Sequence, residues 1–150
     1  MNQLNELAHL SQLLNKESDS HSQYLAQLEK YLRQLNLGVE TWVVLSESSM
    51  SGTPSRDSSR RTYLGYAKTD EGWLFATKIV RVERGYWQGD SDCPWENEYE
   101  EEQPKPLLKS SREIRLQAAA MLPRLLDALK ENAEETLKAL QQANSRLAQA

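Results

Sequence analysis

The side chains in this chain with the most chemistry to offer are one cysteine, two histidines and a short acidic run. Asp90-Ser91-Asp92-Cys93 places two carboxylates and a thiol within four residues. A calcium loop of the EF-hand type would need a central glycine and a distal glutamate, and neither stands at the required spacing. A structural zinc site takes four Cys or His ligands, and one cysteine with no neighbouring histidine falls short. The stretch therefore reads as a polar turn, with no metal expected. Cys93 could still meet His21 in space as a nucleophile and base, because such partners need not be adjacent in sequence. Nothing else in the chain supports that pairing, and His9 and His21 read as bystanders. Gly-rich phosphate loops, nucleophile elbows and His-Glu-x-x-His are all missing from the sequence. No catalytic residue and no cofactor are expected.

Binding chemistry is better represented. Arg56, Arg60 and Arg61, followed by Lys78, Arg81 and Arg84, form the main basic concentration, with Tyr63, Tyr66, Tyr86 and Trp87 nearby. Arginines interleaved with aromatics can hold single-stranded nucleic acid or a nucleotide phosphate. Against this, the net charge is -4, whereas nucleic-acid binders are usually basic. Glu40, Glu47, Asp57, Asp70, Glu71 and Glu83 also offset the cluster locally. The acidic run Glu96 to Glu102 carries Trp95 and Tyr99 and could dock on a basic partner or fold back onto the arginines. Of the four tryptophans, Trp42 and Trp73 read as sheet anchors. Trp87 and Trp95 fall in a long connection, where large aromatics mark contact sites. The candidate partner-binding set is thus Trp87, Trp95, Tyr99, Arg56, Arg60, Arg61, Arg81 and Arg84.

The elements that must position these groups follow from how residue types segregate. Leucines crowd residues 4–37 and 107–147, while every valine lies between 39 and 82. Leucine suits helices and valine suits pleated surfaces. The expected fold is a single α+β domain: residues 1–37 helical, 38–85 a three-stranded antiparallel β-meander, 86–109 a long acidic loop and 110–150 helical. Leu4, Leu7, Leu14, Leu25, Leu28, Leu32 and Leu35 keep a 3-4 spacing, with Ser11, Ser18 and His21 at the intervening positions. We expect a break into two helices between Lys16 and Ser22, and a stop at Gly38. Residues 39–45 form the first strand and 46–61 a Ser-rich loop. Asp70-Glu71-Gly72 then makes a three-residue hairpin connection. In that register Tyr63 and Ala67 share a face with Trp73, Phe75 and Ile79, opposite Leu64, Tyr66, Leu74, Ala76 and Val80. Ser110 caps the last helix through Ser110-Ser111-Arg112-Glu113, and Pro123 kinks it. Beyond Pro123, Leu126, Leu129, Ala133, Leu137, Leu140 and Leu147 hold a helical stripe on a segment roughly 40 Å long.

Length and composition bound the class. A chain of 150 residues can bury about 70% of its unfolded surface and needs no disulfide. The single cysteine and the lack of a signal sequence or long apolar run point to a cytoplasmic protein outside the membrane. The expected function is non-enzymatic: an interaction or adaptor protein, self-associating as a dimer through its helices or sheet face, or taking a helical protein partner. The alternative is a small nucleic-acid- or nucleotide-associated protein using the basic and aromatic sheet region. An enzyme whose site forms between subunits ranks third.

Overall fold

The computed structural model describes residues 2–53, 56–87 and 93–150. The chain divides into two compact units, residues 1–37 and residues 38–150.

The first unit is one helix, α1, spanning Asn2–Leu35. The break expected between Lys16 and Ser22 does not occur. Ser, Asp and His cost a helix only a few tenths of a kcal/mol each against alanine, and without glycine or proline they cannot end one. The 3-4 leucine spacing also passes through that segment without changing phase. Termination comes where expected: Asn36 and Gly38 both take positive φ, 53° and 63°, the left-handed conformation that closes helix C-termini.

The second unit is an α+β arrangement of four strands, β1 (Thr41–Thr53), β2 (Arg56–Thr69), β3 (Gly72–Tyr86) and β4 (Pro94–Pro106). A 3₁₀ turn, Leu107–Lys109, and a long helix, α2 (Arg112–Ala148), follow. The strands form one antiparallel sheet in the order β1-β2-β3-β4. Two expected loops are therefore strands. In the Ser-rich segment, residues 46–53 belong to β1 and 56–61 to β2, and in the acidic segment 86–109 residues 94–106 are β4. Composition misleads here because strand formation depends on cross-strand partners more than on intrinsic preference. Glu47 faces Arg61 and Ser49 faces Ser59 across β1 and β2. Glu96 faces Arg84 and Tyr99 faces Arg81 across β3 and β4. Prolines fit β4 because it is an edge: Pro94 and Pro106 end it, and Pro104 falls in a register shift between Ile79 and Thr77.

The central hairpin turns one residue more tightly than its sequence suggests. Thr69 pairs with Gly72, so Asp70 and Glu71 alone form the turn. Gly72 sits at φ 102°. The Thr69 hydroxyl accepts from the Glu71 N–H at 3.2 Å and donates to the Gly72 carbonyl at 2.9 Å. A slip of one residue reverses the faces of one strand relative to its partner. Leu64 and Tyr66 thus share a face with Trp73, Phe75 and Ile79, while Tyr63 and Ala67 join Leu74, Ala76 and Val80. Aromatic geometry agrees: Tyr66 stacks on Trp73 with centroids 5.5 Å apart and meets Phe75 edge-on at 5.9 Å.

Helix α2 lies on the Tyr66–Phe75 face. Asn132 of α2 donates to the Thr41 hydroxyl at 2.9 Å, and Thr41 pairs with Tyr66. Ala118, Leu125 and Leu129 of α2 are buried, as are Leu64, Tyr66 and Phe75 of the sheet. The cap is Ser111, one residue later than expected. Its hydroxyl accepts from the Ile114 N–H, while Ser110 instead donates to Leu107 and closes the 3₁₀ turn. Pro123 lies inside α2 without ending it; it removes the N–H that would have bonded the Ala119 carbonyl. On the other face Trp42 lies over Gly65. A Cβ at Gly65 would sit 2.2 Å from the Trp42 ring, so glycine is what lets the ring lie flat there. The Lys78 ammonium caps the ring at 4.3 Å from its centroid.

Candidate functional site

Away from the apolar core, the outer halves of all four strands bring the basic cluster and the acidic run together. Alternation sorts them onto two faces.

The face opposite α2 carries Glu47 of β1, Ser59, Arg61 and Tyr63 of β2, Arg84 of β3, and Glu96 and Glu98 of β4. The Arg61 guanidinium reaches Glu47 at 3.0 Å and Glu98 at 2.7 Å. Arg84 joins Glu47 and Glu96, each at 2.7 Å. Ser59 donates to Glu47 at 2.9 Å. Tyr63 accepts from Arg61 at 3.1 Å and donates to Glu98 at 2.5 Å. The result is a continuous network from one sheet edge to the other. Its electrostatics follow from the partners. Partial burial works to raise the Glu47 carboxyl, but hydrogen bonds from Ser59 and Arg84 and the charge of Arg61 outweigh it, holding the group below its ordinary value. The Tyr63 hydroxyl as acceptor raises Arg61 against the effect of burial, with help from the charges of Glu47 and Glu96. Burial and the Glu98 hydrogen bond push the Tyr63 phenol upward. Glu96 and Glu47 likewise raise Arg84.

The α2 face carries Arg56, Arg60 and Arg81 with Trp95 and Tyr99. Arg56 lies over the Trp95 ring at 5.6 Å and Arg81 over Tyr99 at 5.0 Å. Each arginine also has a carboxylate: Arg56–Glu83 at 3.0 Å, Arg60–Glu101 at 2.8 Å and Arg81–Glu83 at 3.5 Å. The Arg81 Nε is buried, and among the described residues it has the Glu83 ion pair at 3.5 Å but no hydrogen bond.

Seven of the eight sequence-selected contact residues are thus gathered on the outer sheet, but divided between faces. Arg61 and Arg84 lie on one side; Arg56, Arg60, Arg81, Trp95 and Tyr99 lie on the other. Trp95 and Tyr99 stand on a paired strand beside arginines rather than in a loop. Trp87 follows β3, 67% exposed, and its N–H bonds the Cys93 carbonyl at 2.8 Å. Asp90, Ser91 and Asp92 lie outside the described residues, and Cys93 is exposed. His21 and Cys93 belong to two different units. Among the described residues no group of three or more His, Cys, Asp and Glu is placed to hold a metal. An open groove of about 390 Å³ is lined by Lys68, Glu71, Gln103, Pro104 and Lys109 among others; Lys109 is neutralised by Glu71 at 2.6 Å.

The acidic run does fold back onto the arginines, through Arg60–Glu101, Arg61–Glu98 and Arg84–Glu96; what sequence reasoning missed is the pairing, which carboxylate meets which arginine. The available signal was alternation: Glu96, Glu98 and Glu100 recur at the two-residue spacing of one strand face, as do Arg61 and Tyr63. No protein-family model, curated protein or solved structure matches the chain.

Proposed function

We propose that this is a non-enzymatic interaction protein that self-associates through its amphipathic helices. The observation that carries the reading is the distal part of α2. Residues 134–148 are exposed at every position, yet Leu137, Leu140 and Leu147 each stand more than half bare. An apolar row left uncovered costs free energy in water and gains about 25 cal/mol for each Å² that a partner removes. The arginines of the outer sheet, by contrast, are charge-paired with carboxylates of the same sheet.

Light scattering at rising concentration tests this reading, with an apparent mass that increases toward two chains as the expected result. Leu137→Asn with Leu140→Asn should shift the midpoint at least tenfold; a concentration-independent single chain would end the proposal. Among the described residues no helix is long and apolar enough to cross a membrane.

The alternative, a nucleic-acid-associated sheet, rests on the arginines stacked over Trp95 and Tyr99. A polyanion would have to displace Glu83 and Glu101 from those arginines and approach an acidic edge strand. Salt-dependent oligonucleotide binding weakened by Arg60→Ala or Arg81→Ala would favour that reading.

A further inference from the structure

We infer that the first helices of two copies of this chain pair in parallel and in register along a leucine seam that begins at Leu4. This rests on the proposal that the chain self-associates and goes beyond it by naming the seam, the occupant and the orientation.

The seam is a heptad row. In α1, Leu4, Ser11, Ser18, Leu25 and Leu32 occupy one core position of successive heptads, and Leu7, Leu14, His21, Leu28 and Leu35 the other. The alternating spacing of three and four persists through all ten positions, the geometry of knobs-into-holes packing; Leu25 and Leu32 of this row are already buried in the fold, so the part open to a second helix is Leu4 to Leu14. Residues 2–17 are exposed at every position. Leu4, Leu7, Leu10 and Leu14 are each more than half bare. This stretch is a helical segment about 24 Å long with an unfilled seam.

Charge identifies the occupant as a second copy. The positions flanking a seam decide which helix is accepted, because charges there meet across the pair. Along the bare segment those positions are Gln3, Ala8, Leu10, Asn15 and Glu17, with one charge among them. Glu6 and Lys16 lie on the outer side. In a parallel pair the flanks meet as Gln3 with Ala8, Leu10 with Asn15 and Glu17 with Ser22, so no like charges are opposed. A helix selected from a different protein would ordinarily be recognised by complementary charges on these flanks, and the single Glu17 offers little to complement.

Orientation follows from the polar layers. In parallel register Leu4, Leu7 and Leu14 each meet their own copy, and Ser11 meets Ser11, where the two hydroxyls can hydrogen-bond. An antiparallel pairing of the same bare segment sets Leu7 against Ser11 twice, burying each hydroxyl beside a hydrocarbon. Four half-bare leucines offer on the order of 400 Å² per copy, about half of a standard interface, which places this contact among the weaker specific ones.

Disulfide trapping in the full-length chain tests the seam. With Cys93→Ser removing the natural thiol, Ser11→Cys places a cysteine in the seam and Gln12→Cys places one on the outer side. Mild oxidation at a concentration where the chain is dimeric should link Ser11→Cys into a covalent dimer, and Gln12→Cys at least tenfold less. A dimer in which Ser11→Cys links no better than Gln12→Cys overturns the seam while leaving self-association intact. A chain that stays monomeric by light scattering at the same concentration overturns both.

Discussion

At the scale of single residues, the sheet is governed by what faces what. Gly65 is the sharpest case, because a methyl group there would sit 2.2 Å from Cε3 and 2.4 Å from Cδ2 of Trp42. Either the ring or the β1 backbone must move. Gly65→Ala should destabilise the fold by about 1–3 kcal/mol, as overpacking of a filled site does, and thermal unfolding followed by tryptophan fluorescence would read it. Glu47 makes a prediction in pH. Its carboxyl titrates below the ordinary value of 4.5 in the fold, so its contribution to stability is complete above about that pH. The contribution is lost as pH falls through the lower folded value. Glu47→Gln should therefore flatten the acid limb of the stability curve, measured by urea unfolding at pH 3 to 6. An unchanged acid limb would mean that Arg61 and Arg84 do not hold the charged form. These partners are hard to see in the sequence because Glu47 lies in a serine-rich stretch, and only the ladder brings it to Arg61.

Elements are more legible than residues, and the failures in the sheet share a cause. The helical ends, the central hairpin, the stop at Gly38 and the capped start of α2 all follow from local chemistry: leucine spacing, left-handed positions and a serine ahead of a helix. Residues 46–61 and 94–106 read as loops because their strand character is not local. Serines and glutamates enter a sheet when arginines stand opposite them, as Arg60 does Ser48, Arg61 does Glu47 and Arg84 does Glu96, each a dozen or more residues away. The one-residue error in the Asp70–Glu71 turn has the same origin, since Gly72 fits either turn and the register of the whole hairpin settles it. A test at this scale is Ser111→Ala, which removes the acceptor for the Ile114 N–H. It should cost about 1 kcal/mol, seen as a lower urea midpoint. Ser110→Ala instead removes a donor to Leu107 and leaves the α2 cap intact.

For the whole molecule, the sequence displays the helical leucine rows openly but does not say how much of them the fold covers. The structure answers for each helix separately: residues 2–17 of α1 and 134–148 of α2 are exposed throughout. The described polar clusters are internally neutralised, while the bare leucines have no such compensation among the described residues. Assembly is therefore the function these surfaces support best. Sedimentation equilibrium of the intact chain, from about 1 to about 100 µM, bears on this most directly, because contacts of this small area fall among the weaker, transient class. The expected result is an average mass rising from one chain toward two. The same chain carrying Leu7→Asn and Leu140→Asn should remain at one. A wild-type mass that stays at one chain at the highest concentration would contradict the account.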